Sequence, residues 1–108
     1  MYVIVWAFRP KPGREQEFVA AYGPAGRWAA FFRAGPDYLG TELLQPVDSA
    51  GEFLTIDRWR TRAAYDAFRA AHRAAYEELD RAGEALTAQE VRLGEFVTDV
   101  AADARTSG

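Results

Sequence analysis

Residues Phe53 to His72, FLTIDRWRTRAAYDAFRAAH, restrict the possible folds of this chain more than any other stretch. An apolar-rich run with strand character ends on Trp59 and passes directly into a helical segment. There Tyr65, Phe68, His72, Tyr76 and Leu79 recur at spacings of three and four, the period of one helix face. Thr61 is placed to cap that helix. The segment before it reads as a strand-helix-strand unit, and the segment after it supplies the helix and strand that complete a second unit.

Tyr2 to Arg9 is rich in aromatic and β-branched residues and stops at Pro10, which cannot donate to a ladder. Tyr2, Ile4, Trp6 and Phe8 occupy one face of that strand, and Val3, Val5 and Ala7 the other. A strand that is apolar on both faces belongs in the centre of a covered sheet. Lys11-Pro12-Gly13 is a turn, and Phe18, Ala21 and Tyr22 mark a helix that Gly23-Pro24 interrupts. Ala25 to Ala34 continues it with Trp28, Phe31 and Phe32 on one side, and Gly35-Pro36-Asp37 ends it. Strands follow over Tyr38 to Gln45 and Phe53 to Trp59, joined by a polar hairpin connection at Pro46 to Gly51. Gly83 ends or bends the long helix. Thr87-x-x-Glu90 matches a capping box that would start one last turn, and Val91 to Thr98 reads as the final strand. Residues 1–98 thus form one domain, and residues 99–108, poor in apolar side chains, read as a disordered tail.

Composition excludes several classes of function. The 108 residues carry a net charge of −3 and no cysteine. This leaves no basic field for nucleic acid or an anionic membrane, no disulfide and no thiolate. The single His, and carboxylates without ligand spacing, offer no metal site. The apolar run of the first strand ends at Phe8, far short of the roughly 20 residues that cross a bilayer. A soluble, cytoplasmic protein is expected. The glycines make no phosphate-binding fingerprint, and Ser49 and Ser107, the only serines, accompany no His in a nucleophilic arrangement.

The order β-α-β-β-α-β is the ferredoxin-like α+β arrangement, in which two helices cover one face of a four-stranded antiparallel sheet. The uncovered face would carry Val3, Val5, Leu54, Ile56 and Phe96. A patch of that size calls for a homodimer in which two sheets stack face to face.

The Lys11-Pro12-Gly13 turn, the aromatic helix after it, Gly35-Pro36-Asp37-Tyr38-Leu39-Gly40 leading into the second strand, and the apolar strand that ends in Trp59 before a capped helix together resemble the antibiotic biosynthesis monooxygenase family of dimeric α/β-barrel proteins. The likeness covers about residues 2 to 98. It implies a pocket between sheet and helices lined by Trp59, with Tyr65 where the polyketide-oxidising members place a substrate-binding Tyr. Thr55 stands where those members have an Asn. The implied activity is oxygenation of a small aromatic or polyketide-like phenol without a bound cofactor. The family's haem-degrading members imply a second activity. For it the resemblance puts Trp6 at the position of their Asn and Arg69 at that of their iron-ligating His, with His72 one turn further on.

Alternation along the third strand sends Phe53, Thr55, Asp57 and Trp59 toward the helices, where Tyr65, Phe68, His72 and Tyr76 could face them. That constellation offers a carboxylate, an imidazole and hydroxyls among aromatic rings, as a flat ring substrate requires. In the oxygenase reading Trp59 and Tyr65 position the ring, and Thr55 hydrogen-bonds its oxygen. His72 or Asp57 manages the proton, and Trp6, Phe68 and Tyr76 complete the substrate site. In the plainer reading Trp59 and Tyr65 are core aromatics, His72 is a satisfied or partly exposed helix residue, and Asp57 pairs with Arg58, Arg60 or Arg62 or caps the following turn. The corresponding alternative in function is a non-catalytic dimer that binds a small apolar ligand or serves in assembly.

Overall fold

The computed structural model describes residues 1–98, so the tail expected over residues 99–108 lies outside the described residues. The elements are β1 (Tyr2–Pro10), α1 (Glu15–Tyr22), α2 (Arg27–Phe32), β2 (Tyr38–Leu44), β3 (Phe53–Trp59), α3 (Arg62–Ala71), α4 (Arg73–Glu84) and β4 (Thr87–Val97). The four strands form one antiparallel sheet in the order β2-β3-β1-β4. This is the ferredoxin-like topology expected from the sequence, with each helical layer divided in two. β1, apolar on both faces, takes a central position.

Three local expectations are corrected. The helix after Thr61 is not continuous, because His72 leaves the helical region at φ −120° and ψ 33° and separates α3 from α4. The hydrogen bonds across the break survive: the His72 N–H donates to Phe68 O at 3.0 Å, and the Tyr76 N–H to His72 O at 2.9 Å. Thr87 to Glu90 forms no helical turn. It is already strand, with Glu90 opposite Phe8 and Gln89 opposite Arg9, because ladder pairing with a buried central strand outweighs a local capping signal. Pro10 belongs to the end of β1, where a register shift against β4 leaves its missing N–H without consequence. The cap on α3 forms as expected, the Ala64 N–H donating to Thr61 Oγ1 at 3.1 Å.

Register sets the two faces of the sheet. Tyr2 opposes Trp59, Ile4 opposes Asp57, Trp6 opposes Thr55 and Phe8 opposes Phe53, and all of these point toward the helices. Two aromatic clusters fill that layer. One gathers Tyr2, Ile4, Phe32, Trp59, Tyr65 and Phe68, and the other Phe8, Phe18, Ala21, Tyr22, Phe53 and Leu86. Trp6 and Trp28 pack against both.

The opposite face carries Val3, Val5, Leu54, Ile56 and Phe96 as expected, joined by Leu44 and Val91. Val3 is buried beneath its neighbours, while Phe96 is 51% exposed. Among the described residues no helix is long and apolar enough to cross a membrane.

Candidate active site

A recess opens where the two aromatic clusters meet. It is bounded by Trp6, Phe8, Tyr22, Trp28, Phe32 and Tyr65, with Thr41, Thr55, Asp57, Tyr76, Asp80 and Glu90 supplying its polar atoms. The position follows from the register. Along the helix-facing row of β3, Phe53 belongs to one cluster and Trp59 to the other, while Thr55 and Asp57 between them interrupt the apolar layer. The free space within amounts to about 40 Å³, and the whole recess with its mouth to about 450 Å³. The inner space holds a few water molecules at roughly 10–15 Å³ each. Ligand sites run to about 300 Å³ or more, so a ring enters only if side chains at the mouth swing aside. Trp6, Trp28 and Tyr76 are half-buried and are the movable walls.

Asp57 is the chemically distinctive group. Burial raises its pKa from 3.8 to about 6, against the opposing effect of a hydrogen bond from Thr41. The expected pairing with a neighbouring arginine does not occur. Arg58 lies on the other face and pairs with Glu42 at 2.5 Å, Arg60 pairs with Asp37 at 3.3 Å, and Arg62 lies 3.6 Å from both Asp66 and Glu95. Strand alternation is the reason, since it turns residues next in sequence to opposite sides of the sheet. Asp57 instead accepts from Thr41 Oγ1 at 2.5 Å, and Thr41 Oγ1 lies 2.5 Å from the Tyr38 hydroxyl.

The other end of the recess is also acidic. Glu90 is held above the usual carboxylate range by burial and by the charges of Asp80 and Glu84. Burial, with Glu90 adding to it, pushes Tyr22 up to about 12. Burial likewise raises Tyr65 and Tyr76, so the tyrosines of the recess are neutral hydrogen-bond donors at neutral pH. Among the described residues no lysine or arginine lines the recess. The Arg69 guanidinium lies outside, 4.5 Å from the centre of the Tyr76 ring and 5.6 Å from that of Tyr65.

Of the residues singled out in the sequence, the structure brings Trp6, Thr55, Asp57, Tyr65 and Tyr76 to the recess. It does not bring Trp59, Phe68 or His72 there. Trp59 is 0% exposed and packs against Phe32, Tyr38, Tyr65 and Phe68 behind the recess wall. Phe68 lies between Trp59 and His72. His72 is exposed at the end of α3, its ring 4.4 Å from that of Phe68. Thr41, Tyr22, Asp80 and Glu90 were not anticipated. Thr41 could have been found by pairing the two hairpin strands, because it sits directly opposite Asp57. The acidic pair Asp80 and Glu90 comes together only through the packing of α4 against β4.

A four-stranded antiparallel sheet backed by helices, with an aromatic recess between the layers, defines this chain as a ferredoxin-like domain. Residues 1–79 match the antibiotic biosynthesis monooxygenase family, and the chain belongs to that family. A mutant of SnoaB, a cofactor-independent oxygenase from Streptomyces nogalater, is similar in structure with a TM-score of 0.74 at 23% identity, covering 90% of this chain and 91% of that one. Rv0793 from Mycobacterium tuberculosis aligns with a TM-score of 0.65 at 19% identity, covering 90% and 93%. A mutant of MhuD, solved with two manganese protoporphyrin IX bound per active site, aligns at 0.58 and 19%, covering 91% and 94%. At these identities the likeness extends to the fold. No curated protein matches the chain.

The residues present do not fit a haem. Arg69, which the family resemblance puts where an iron-ligating His would stand, is spread over two tyrosine rings. His72 is outside the recess.

Proposed function

We propose that this protein is a cofactor-independent monooxygenase acting on a small, electron-rich phenol or related polycyclic aromatic, with Asp57 as the general base. One observation carries the reading: Asp57 is a half-buried carboxylate set in an aromatic recess, with no cationic partner among the described residues, and this setting raises its pKa to about 6. A base with that pKa is largely ionised at neutral pH and still basic enough to take a phenolic proton. Thr55 and Tyr65, which line the same recess, carry hydroxyls suited to donate to the oxygen on which charge develops.

In the reaction Asp57 accepts the phenolic proton, and the ring anion passes electrons to dioxygen. A carbon–oxygen bond forms, giving a hydroperoxide. The oxygen–oxygen bond then breaks as the ring carbon loses its hydrogen. One oxygen atom stays in the resulting quinone, and the other leaves as water with the two hydrogens of the substrate. The substrate is the reductant, so none is needed from outside. Ring binding requires the walls formed by Trp6, Trp28 and Tyr76 to open.

Oxygen uptake with a panel of naphthols and anthrones tests this. The expected result is one dioxygen consumed per product, with one ¹⁸O atom incorporated from labelled dioxygen. A folded protein that binds these compounds without consuming oxygen is instead the non-catalytic binding module.

We also infer that a second copy covers the open sheet face, because Leu44, Val91 and Phe96 leave apolar surface exposed there. Sedimentation of the wild-type protein is expected to give a dimer. Phe96→Glu, which puts a charge on each side of the proposed contact, is expected to give a folded monomer. A wild-type monomer overturns the inference.

A further inference from the structure

In a regular strand, residues three apart point to opposite faces. Tyr38 and Thr41 nevertheless share one. Tyr38 is opposite Trp59, Gly40 opposite Arg58 and Thr41 opposite Asp57, so Leu39 is an extra residue in β2 with no partner of its own. Gly40 completes this bulge at φ +134°, a backbone conformation that side-chain-bearing residues rarely adopt. The two hydroxyls consequently meet at 2.5 Å. Thr41 has a single proton and donates it to Asp57 Oδ1, so its oxygen accepts the proton of Tyr38. The order of donation is Tyr38 to Thr41 to Asp57. Only Oδ1 of Asp57 is engaged in this way, and the carboxylate borders the recess.

We propose that the bulge in β2 makes Tyr38 and Thr41 positioning residues for Asp57, fixing Oδ1 so that Oδ2 is the oxygen presented to a substrate in the recess. The proposal rests on the reading of Asp57 as the base. A hydroxyl aimed at an ionised carboxylate favours that form, and a second hydroxyl behind it strengthens the donor. The neighbours of Asp57 leave this pair as its main support. β1 contributes Ile4 directly opposite, and Tyr65 from α3 is neutral. Tyr76 and Asp80 from α4 and Glu90 from β4 line the same recess, and the two carboxylates can only oppose a further negative charge.

The test uses the full chain labelled with ¹³C at the aspartate carboxyls, with Asp57→Asn identifying the signal of Asp57. Thr41→Val, folded by circular dichroism, is expected to raise the titration midpoint of Asp57 by about one pH unit, the size of a lost hydrogen bond to a charged group. Tyr38→Phe is expected to raise it by less, and Thr41→Ser to leave it in place. The acid limb of the oxygen-uptake pH profile is expected to move with the midpoint. A midpoint unmoved in folded Thr41→Val overturns the proposal. If that variant does not fold, Tyr38→Phe, which removes one oxygen atom outside the recess, decides by the same criterion. A shifted midpoint in a protein that consumes no oxygen leaves the positioning of Asp57 standing and overturns the oxygenase reading, so the two failures are distinguishable.

Discussion

Asp57→Asn is expected to make the protein more stable and its oxygen uptake far slower. Asp57 has a folded-state pKa of about 6 against an ordinary 3.8. For an acid raised in this way, the favourable contribution is complete below pH 3.8, where the carboxyl is protonated in both states. It is lost as pH rises through about 6, because ionisation is then resisted only in the folded protein. The difference corresponds to about 3 kcal/mol of destabilisation at neutral pH. Asparagine keeps an oxygen that can accept the Thr41 proton and carries no charge, so most of that penalty should vanish. The expected rise in Tm is about 5–15 °C at pH 7, at 4–8 °C per kcal/mol for a domain of this size and with some loss for the buried amide. Below pH 4 the two proteins should melt alike. Oxygen uptake by the variant should fall by about 10²- to 10⁴-fold, the usual contribution of a general base. A variant that is both more stable and fully active would remove Asp57 from the reaction.

Trp59→Ala is expected to have the largest effect on stability. Trp59 has no exposed surface and stands at the centre of four aromatic contacts. A side chain added at Gly35 would lie 2.9 Å from the edge of its ring, so the surrounding chain is shaped to this indole. Truncation to alanine should cost about 3–5 kcal/mol. That is a large share of the 5–15 kcal/mol available to a typical domain, and denaturant unfolding would measure it. Trp59→Phe is the informative companion. The indole Nε1 is buried without a partner, so phenylalanine removes an unsatisfied donor while leaving part of the space empty. The expected outcome is a loss of about 1–2 kcal/mol, with turnover per folded molecule within about threefold of wild type. A stable Trp59→Phe protein with turnover reduced tenfold or more would mean that the recess rearranges to expose the indole to substrate. The role that the family resemblance implies for Trp59 would then hold despite the packing seen here.

How much of the molecule was legible depended on the range of the interactions involved. The alternation of β3 correctly placed Thr55, Asp57 and Trp59 on one face, because side-chain direction in a strand is local geometry. The cap at Thr61, the hairpin and the centrality of β1 followed from similarly short-range chemistry. The expected Asp57–arginine pair failed because sequence proximity is a poor guide to proximity across a strand. His72 was expected to face the recess on an unbroken helical period, but the chain departs from the helix at that residue, so His72 is exposed while Tyr65 before it and Tyr76 after it reach the recess. Trp59 was known to point inward. Whether it would line an open space or fill one depended on how closely Phe32, Tyr38 and Phe68 approach it, and no local pattern records that.

By itself, then, the sequence determined the order of the elements, the two faces of the sheet and the aromatic character of the layer between sheet and helices, since all three rest on periodicity and on residue chemistry within a few positions. The tertiary structure alone decided that the recess lies at the seam of two clusters around Asp57 rather than at Trp59. It alone aimed Tyr38, through Thr41, at that carboxylate and brought Asp80 and Glu90 to the far end. The physical reason is that burial without a counter-charge, which gives Asp57 its pKa, is a property of everything packed around a group, and the bulge that aims Tyr38 exists only in the register between β2 and β3.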